Sequence, residues 1–489
     1  MLRSLGILIT ALFPLLAFSA DNDTDRLIKE ALKPSALETN LRRLTDEVGG
    51  RVPGTPAFQR AVDWGVAAFK DTGADSVHTE EFTIQHGWAE GATEMTASLY
   101  SGATFHVAAV SVAWAPTLAA AKHVPIVDVG DGSAAAFAKV GDVAGRIVFV
   151  HTKVLATWDD LFGEYDRAPA IIALAVKGKA KAIAFMATRD HKILYRHTNS
   201  VAGEIDDLPQ VIVAREDAER IARLLAAGTP VWADLSIPNK ITFAIKTWNV
   251  VAELRGSETP DEFVVLGAHL DSWDLGTGAL DNGCNAALVI DALRTIKASG
   301  LKPRRSIRFI LFSGEEEGLI GSRVYAAEHR VELDKAAGVV VVDSGTGKII
   351  SFSTGGRNDV IPAVESILKP FEEFGLTKAV PTAESGTDHF DFMLEGVPTF
   401  VADQEAANYL ENYHATTDTF DKVDFEQLKK EVAESAVLSF ALANRADPIG
   451  PRLNRAQIEQ MMHETHLDKE MKAQGMWDDW DKRKRGRQQ

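Results

Sequence analysis

The stretch Phe263-Val264-Val265-Leu266-Gly267-Ala268-His269-Leu270-Asp271 decides the fold. Its unbroken apolar run, with no polar residue alternating in it, has the pattern of a strand covered on both faces. It ends in His-x-Asp, so polar chemistry begins where the strand stops. Working outward, residues 307–312, 339–342 and 399–401 repeat the pattern, and helical periodicity, as at 285–297, separates several of the runs. Buried strands alternating with helices predict an α/β fold with a doubly wound, mostly parallel sheet. Ligands of such sheets sit beyond the carboxyl ends of the strands, and acids and histidines collect there in this chain.

Five motifs carry that chemistry. In His269-Leu270-Asp271 the acid lies two residues on, so it shares a strand face with the imidazole or lies just beyond it. Such a carboxylate would orient a metal-bound histidine. Gly278-Ala279-Leu280-Asp281-Asn282-Gly283 opens the 285–297 helix; Asp281 reads as a helix N-cap or as a carboxylate bridging two cations. Ser313-Gly314-Glu315-Glu316-Glu317-Gly318 sets three carboxylates side by side, either in a solvated turn or neutralised by cations. Asp343 follows four valines and would be costly if buried unpaired, and Tyr413-His414 enters a polar loop. Two histidines and three carboxylates at successive strand ends suit a zinc site kept open for water, with three protein ligands per metal if Asp281 is shared.

The bulk composition narrows the function. The 489 residues have room for several domains, and 46% hydrophobic with 25% charged residues is ordinary for a globular chain. A net charge of −17 argues against a nucleic-acid partner, since phosphate binding needs a basic stripe. Arg3, the apolar run 5–18 and Ala17-Phe18-Ser19 read as a cleavable signal peptide over residues 1–20, so a secreted or periplasmic location is expected. No later run is long enough for a membrane span in the mature chain. Cys284 is the sole cysteine, so no intramolecular disulfide can form and the exported chain depends on its core and metal.

The texture of the chain predicts five parts. After the signal, residues 21–107 begin, with helical patterning followed by the turn 49–55, the same domain that later carries the five motifs. Residues 108–242 read as an inserted β-rich module whose histidines (His123, His151, His191, His197) are scattered and are not ligands. Residues 243–450 carry the five motifs. The charged segment 451–489 reads as a tail that is solvated or makes a homodimer contact.

The motif order resembles the co-catalytic dizinc exopeptidases, and within them the carboxypeptidase Q branch, on His269-Leu270-Asp271-Ser272-Trp273-Asp274 and the neighbouring Gly276-Thr277-Gly278-Ala279. The insert resembles a protease-associated domain. The resemblance implies two zinc ions per chain: His269 and Asp343 on one, Glu316 and His414 on the other, Asp281 bridging. It makes Glu315 the general acid/base acting on a metal-bridging water and Asp271 the partner of His269, and it implies a cis peptide at Asp281-Asn282. A glutamate that neighbours a ligand without being one suits a proton shuttle on chemical grounds too.

Glu384-Ser385-Gly386-Thr387-Asp388-His389-Phe390 matches a pocket segment of that family. Asp388 is expected to read a free α-amine there, and His389, a departure from the branch pattern, to hydrogen-bond the oxyanion or stand as pocket wall. Short peptides are the expected substrates of this zinc-dependent, dipeptidase-like exopeptidase. Three alternatives stay open: an aminopeptidase for longer peptides, a glutaminyl cyclase-like acyltransferase, and a non-catalytic binding module. The complete ligand set with Glu315 argues against the last two.

Overall fold

The computed structural model describes residues 22–200 and 203–489; the signal-peptide segment lies outside them. Two eight-stranded sheets organise the chain. The first runs in the order Ser76–Ala89, Lys240–Leu254, Arg305–Phe312, Thr259–His269, Ala336–Val341, Thr399–Gln404, Ile349–Ser353 and Lys378–Val380. Its four central strands, from Arg305–Phe312 to Thr399–Gln404, are mutually parallel. Antiparallel pairings flank them, so the sheet is mostly parallel, as expected, and mixed towards its edges.

Alternation inside the apolar runs explains their burial on both faces. Val264, Leu266 and Ala268 join one core with Ile307, Phe309 and Leu311. The intervening Phe263 and Val265 join the opposite core with Ile310 and Phe312. The helices Cys284–Ser299 and Phe425–Asn444 cover the first face. With both faces closed, the strands open to polar chemistry only at their carboxyl ends, where His269 and the Glu315 loop emerge.

The second sheet takes its strands from Glu94 to Ile237, with the helices Trp158–Lys177 and Arg215–Ala226 on its opposite faces. Its strands Leu118–Asp128, Ile147–Val150, Ala182–Met186 and Gln210–Val213 pair in parallel, and the remaining pairings are antiparallel. The strands Ser76–Ala89 and Lys240–Leu254 pair along their length and lead into and out of this second unit.

The charged C-terminal segment is not the solvated tail its composition suggests. It folds into the helices Arg455–Thr465, Leu467–Ala473 and Trp477–Asp481, and Trp480 joins one buried cluster with Phe390 and Met393. Arg485, 4% exposed, makes two hydrogen bonds of 2.7 and 2.6 Å to the carboxylate of Asp391. Apolar residues spaced between the charges drive the docking, which a count of charges alone hides. Among the described residues no helix is long and apolar enough to cross a membrane.

Candidate metal centre

All five expected ligands converge at the carboxyl ends of the first sheet. His269 Nε2 lies 3.0 Å from Asp343 Oδ1 and 3.2 Å from Asp281 Oδ1. His414 Nε2 lies 2.8 Å from Glu316 Oε2 and 3.2 Å from Asp281 Oδ2. The two oxygens of Asp281 therefore face one imidazole each. Ligand atoms within 4.8 Å of one another form two three-residue sets, His269–Asp281–Asp343 and Asp281–Glu316–His414.

The electrostatics of this cluster call for cations. Burial pushes Glu315, Glu316 and Glu317 well above the ordinary carboxylate range, and nearby negative charges add to the push. Burial also raises Asp343, and Asp281 adds to it while His269 opposes it. For His269 burial favours the neutral ring, but Asp343 and Asp281 outweigh it and hold the imidazole well above its usual value. Asp281 Oδ2 and Glu316 Oε1 are buried without a hydrogen-bond partner. Such atoms are expensive to desolvate unless a cation takes them, so the donor atoms fit bound metal.

Local backbone and polar contacts hold the set in place. Gly278 sits at φ +60°, and a Cβ there would collide with Ser272 and Arg51, so the turn into Asp281 requires glycine. The Asp281–Asn282 peptide is cis. Sequence reading gave no role to Asp418, yet its carboxylate accepts from the backbone N–H groups of Ala279, Leu280 and Asp281 at 3.0, 2.7 and 3.1 Å. Arg51 was missed too. Fully buried, it donates to the carbonyls of Leu270, Thr277 and Gly278 at 2.7, 2.7 and 2.9 Å, tying the His269 loop to the Asp281 loop. Its position inside Gly49-Gly50-Arg51-Val52-Pro53-Gly54 was the available signal.

Asp271 differs from expectation in how it acts. The Nδ1 of His269 meets the backbone carbonyl of Asp271 at 3.0 Å, while the nearer carboxylate oxygen is 3.7 Å away. That carboxylate accepts instead from the N–H groups of Gly314 and Glu316 at 2.9 and 3.1 Å. One residue thus fixes the imidazole through its main chain and the glutamate loop through its side chain. Two-residue spacing alone could not separate these contacts.

Glu315 belongs to neither donor set, but it feels the charges of His269, Asp343 and Glu316. Asp388 is 0% exposed, as enclosed as His269, and both its carboxyl oxygens lack a partner. Burial, with Asp271 and Asp343 adding, pushes it up to about 8. His389 is also buried, which lowers it to about 4 and keeps the ring neutral, and its Nδ1 has no partner. Cys284 is a buried thiol 3.3 Å from the Leu280 carbonyl, packed beneath the Asp281 loop.

This sheet, with two histidines and three carboxylates at its strand ends, defines a zinc metallopeptidase, a hydrolase of peptide bonds. Residues 249–438 match the family model for Peptidase family M28. The chain is 27% identical to carboxypeptidase Q of Rattus norvegicus over 408 residues, 82% of this chain and 84% of that one. It is 25% identical to the probable leucine aminopeptidase 2 of Aspergillus fumigatus over 464 residues, covering 85% and 84%. Among solved structures, a peptidase M28 precursor from Shewanella amazonensis superposes with a TM-score of 0.79 at 27% identity, covering 88% of this chain and 98% of that one.

Proposed function

We propose that the chain is a secreted or periplasmic exopeptidase that frees amino acids from short peptides and holds two zinc ions. The observation that carries this reading is the pair of three-donor sets sharing Asp281, with Glu315 beside them and in neither. His269, Asp281 and Asp343 would hold one ion, and Asp281, Glu316 and His414 the other. Bound there, zinc would supply Lewis-acid polarisation of the scissile carbonyl and acidify water.

The chain's own residues do the rest. Glu315 takes a proton from the attacking water as its oxygen bonds to the carbonyl carbon. It returns that proton to the amine nitrogen as the C–N bond breaks. Asp271 keeps Glu315 and His269 in register through the loop contacts described above. Asp388, unpartnered and enclosed beside the centre, is the group for a free α-amine, and His389 contributes a neutral ring to the same wall. The run of residues 5–18 behind Arg3 supports export.

The test is a panel of free and N-acetylated dipeptides, longer peptides and aminoacyl reporters, assayed with and without chelator, beside metal analysis of protein purified without chelator. Unblocked dipeptides cleaved best, with about two zinc equivalents per chain, are expected. One tight equivalent with full activity would refute the two-metal reading. The likeness to a probable leucine aminopeptidase favours a second reading, an aminopeptidase for longer peptides, and a panel led by those peptides would select it.

A further inference from the structure

The His414 loop is held largely by the second sheet's unit and not by the sheet whose metal site it completes. His414 adopts φ +59°, a left-handed conformation that is rare away from glycine and that its surroundings must impose. Its carbonyl accepts from the backbone N–H of Arg196 at 2.9 Å, and Thr416 N–H donates to the Leu194 carbonyl at 2.9 Å. The preceding carbonyl, of Tyr413, accepts from Arg189 Nη2 at 3.0 Å. Arg189 and Arg196 both come from the connection after the strand Ala182–Met186 of the second sheet.

The imidazole itself meets the same unit. With Nε2 facing Asp281 and Glu316, Nδ1 is left to carry the ring proton, and the Tyr165 hydroxyl lies 3.4 Å from it. Tyr165 stands on the helix Trp158–Lys177, and its neighbour Glu164 anchors the cluster. Glu164 accepts from the Tyr195 hydroxyl, accepts from Thr188 Oγ1 at 3.2 Å and lies 3.6 Å from Arg189 Nη1. Arg189 in turn lies over the Tyr195 ring at 4.0 Å. Arg189, Tyr195 and His197 are all buried, so water does not compete for these contacts.

We propose that the second sheet's unit is a working part of the metal centre, with Tyr165 the positioning residue for the His414 imidazole and the Glu164–Arg189 pair the clamp on its left-handed backbone. The proposal rests on His414 being a ligand, as read above. Tyr165 accepts from Nδ1–H and so fixes which ring nitrogen is free for metal, and Arg189 sets where the ring points. A partner of this kind beyond the ligands commonly changes metal affinity by about 10–100-fold when removed. The insert then confers more than bulk on the rim: it tunes one of the two donor sets and leaves the His269 set to the first sheet.

The test uses the full chain stripped of metal and titrated with zinc against a chromogenic chelator, which reads the affinity of each equivalent without reference to turnover. Tyr165→Phe and Arg189→Ala are each expected to weaken one equivalent by about tenfold or more and to leave the other at its parent value. Arg189→Lys, which keeps a donor for the Tyr413 carbonyl, is expected to recover most of that loss, and His123→Ala, an exposed site in the same unit, to change neither. Cobalt loaded into the weakened position should show an altered absorption spectrum. Parent affinities for both equivalents in Tyr165→Phe would overturn the proposal, as would equal weakening of both with a lowered melting temperature. If His414→Ala keeps both equivalents at parent affinity, the ligand reading fails instead.

Discussion

Replacing Glu315 by Gln keeps the size and shape of the side chain and removes its ability to accept a proton. Because Glu315 lies in neither donor set, both metals should stay at the parent level. Positioned acid–base groups contribute about 10²–10⁴-fold to rate, or roughly 3–5 kcal/mol at about 1.4 kcal/mol per tenfold. Most of that loss should fall on kcat, with KM little changed, because an isosteric amide leaves the cleft as it was. Glu316→Gln is the informative companion. Its Oε2 is 2.8 Å from His414 Nε2 and inside a donor set, so it should lose metal first and activity as a consequence. The assay is metal content by mass spectrometry beside kcat and KM on an unblocked dipeptide. If Glu315→Gln lost a metal while Glu316→Gln kept both and lost only kcat, the roles within the triple glutamate would be shifted by one residue.

Asp388→Asn should weaken free-amine dipeptides by about 2–5 kcal/mol relative to N-acetylated ones, and equal effects on both would remove Asp388 from amine recognition. Arg485→Ala strands the Asp391 carboxylate, 3% exposed, so a loss of about 3–5 kcal/mol is expected in chemical unfolding; Arg485→Met with Asp391→Leu should recover much of it, and an unchanged midpoint in the single variant would mean that the segment is not docked. His329, whose Nε2 lies 3.0 Å from Glu80 Oε2 and whose Nδ1 lies 2.9 Å from Glu332 Oε2, supplies a pH signature. Burial opposes it, yet hydrogen bonds from His329 and His78 hold Glu80 down at about 2, and Arg308 with His329 holds Glu332 there too. Their stabilisation is present above the ordinary 4.5 and fades as pH falls towards 2, whereas that of His329, raised chiefly by Glu80, is complete below 6.5 and fades as pH rises through its raised value. The melting difference between parent and His329→Gln should therefore peak between 4.5 and 6.5, and a difference growing towards alkaline pH would contradict it.

The sequence showed most where one period or one residue type dominates. Unbroken apolar runs marked the four central strands, and the acid or histidine following three of them (His269, the Glu315–Glu316 loop and Asp343) marked the centre, because the chemistry sits where burial ends. Contacts made by generic polar groups stayed hidden. Nothing in the spacing of Asp418 says that it will accept three backbone N–H groups 137–139 residues earlier in the chain. Asp271 is similar: two-residue spacing placed it near His269, but whether carbonyl or carboxylate meets the ring depends on how the glutamate loop folds over it. Tyr165 is an ordinary aromatic in an ordinary helix until the second unit is laid against His414. The C-terminal docking was obscured by charge, since Trp480 and Met471 are buried between basic and acidic neighbours.

The long antiparallel pair Ser76–Ala89 and Lys240–Leu254 also bears on the order in which the chain assembles. Ala89 faces Lys240, so everything between them is a loop whose ends must meet before the peptidase sheet can take register. Closing so long a loop as open chain is entropically costly and slow. A second unit that folds first brings its own two ends together, because its strands Glu94–Leu99 and Val231–Ile237 are neighbours. The remaining closure then spans only a few residues on each side. Folding of the catalytic sheet should accordingly wait on the second unit, and a lesion in that unit's core should slow maturation of a metal centre whose ligands it leaves untouched.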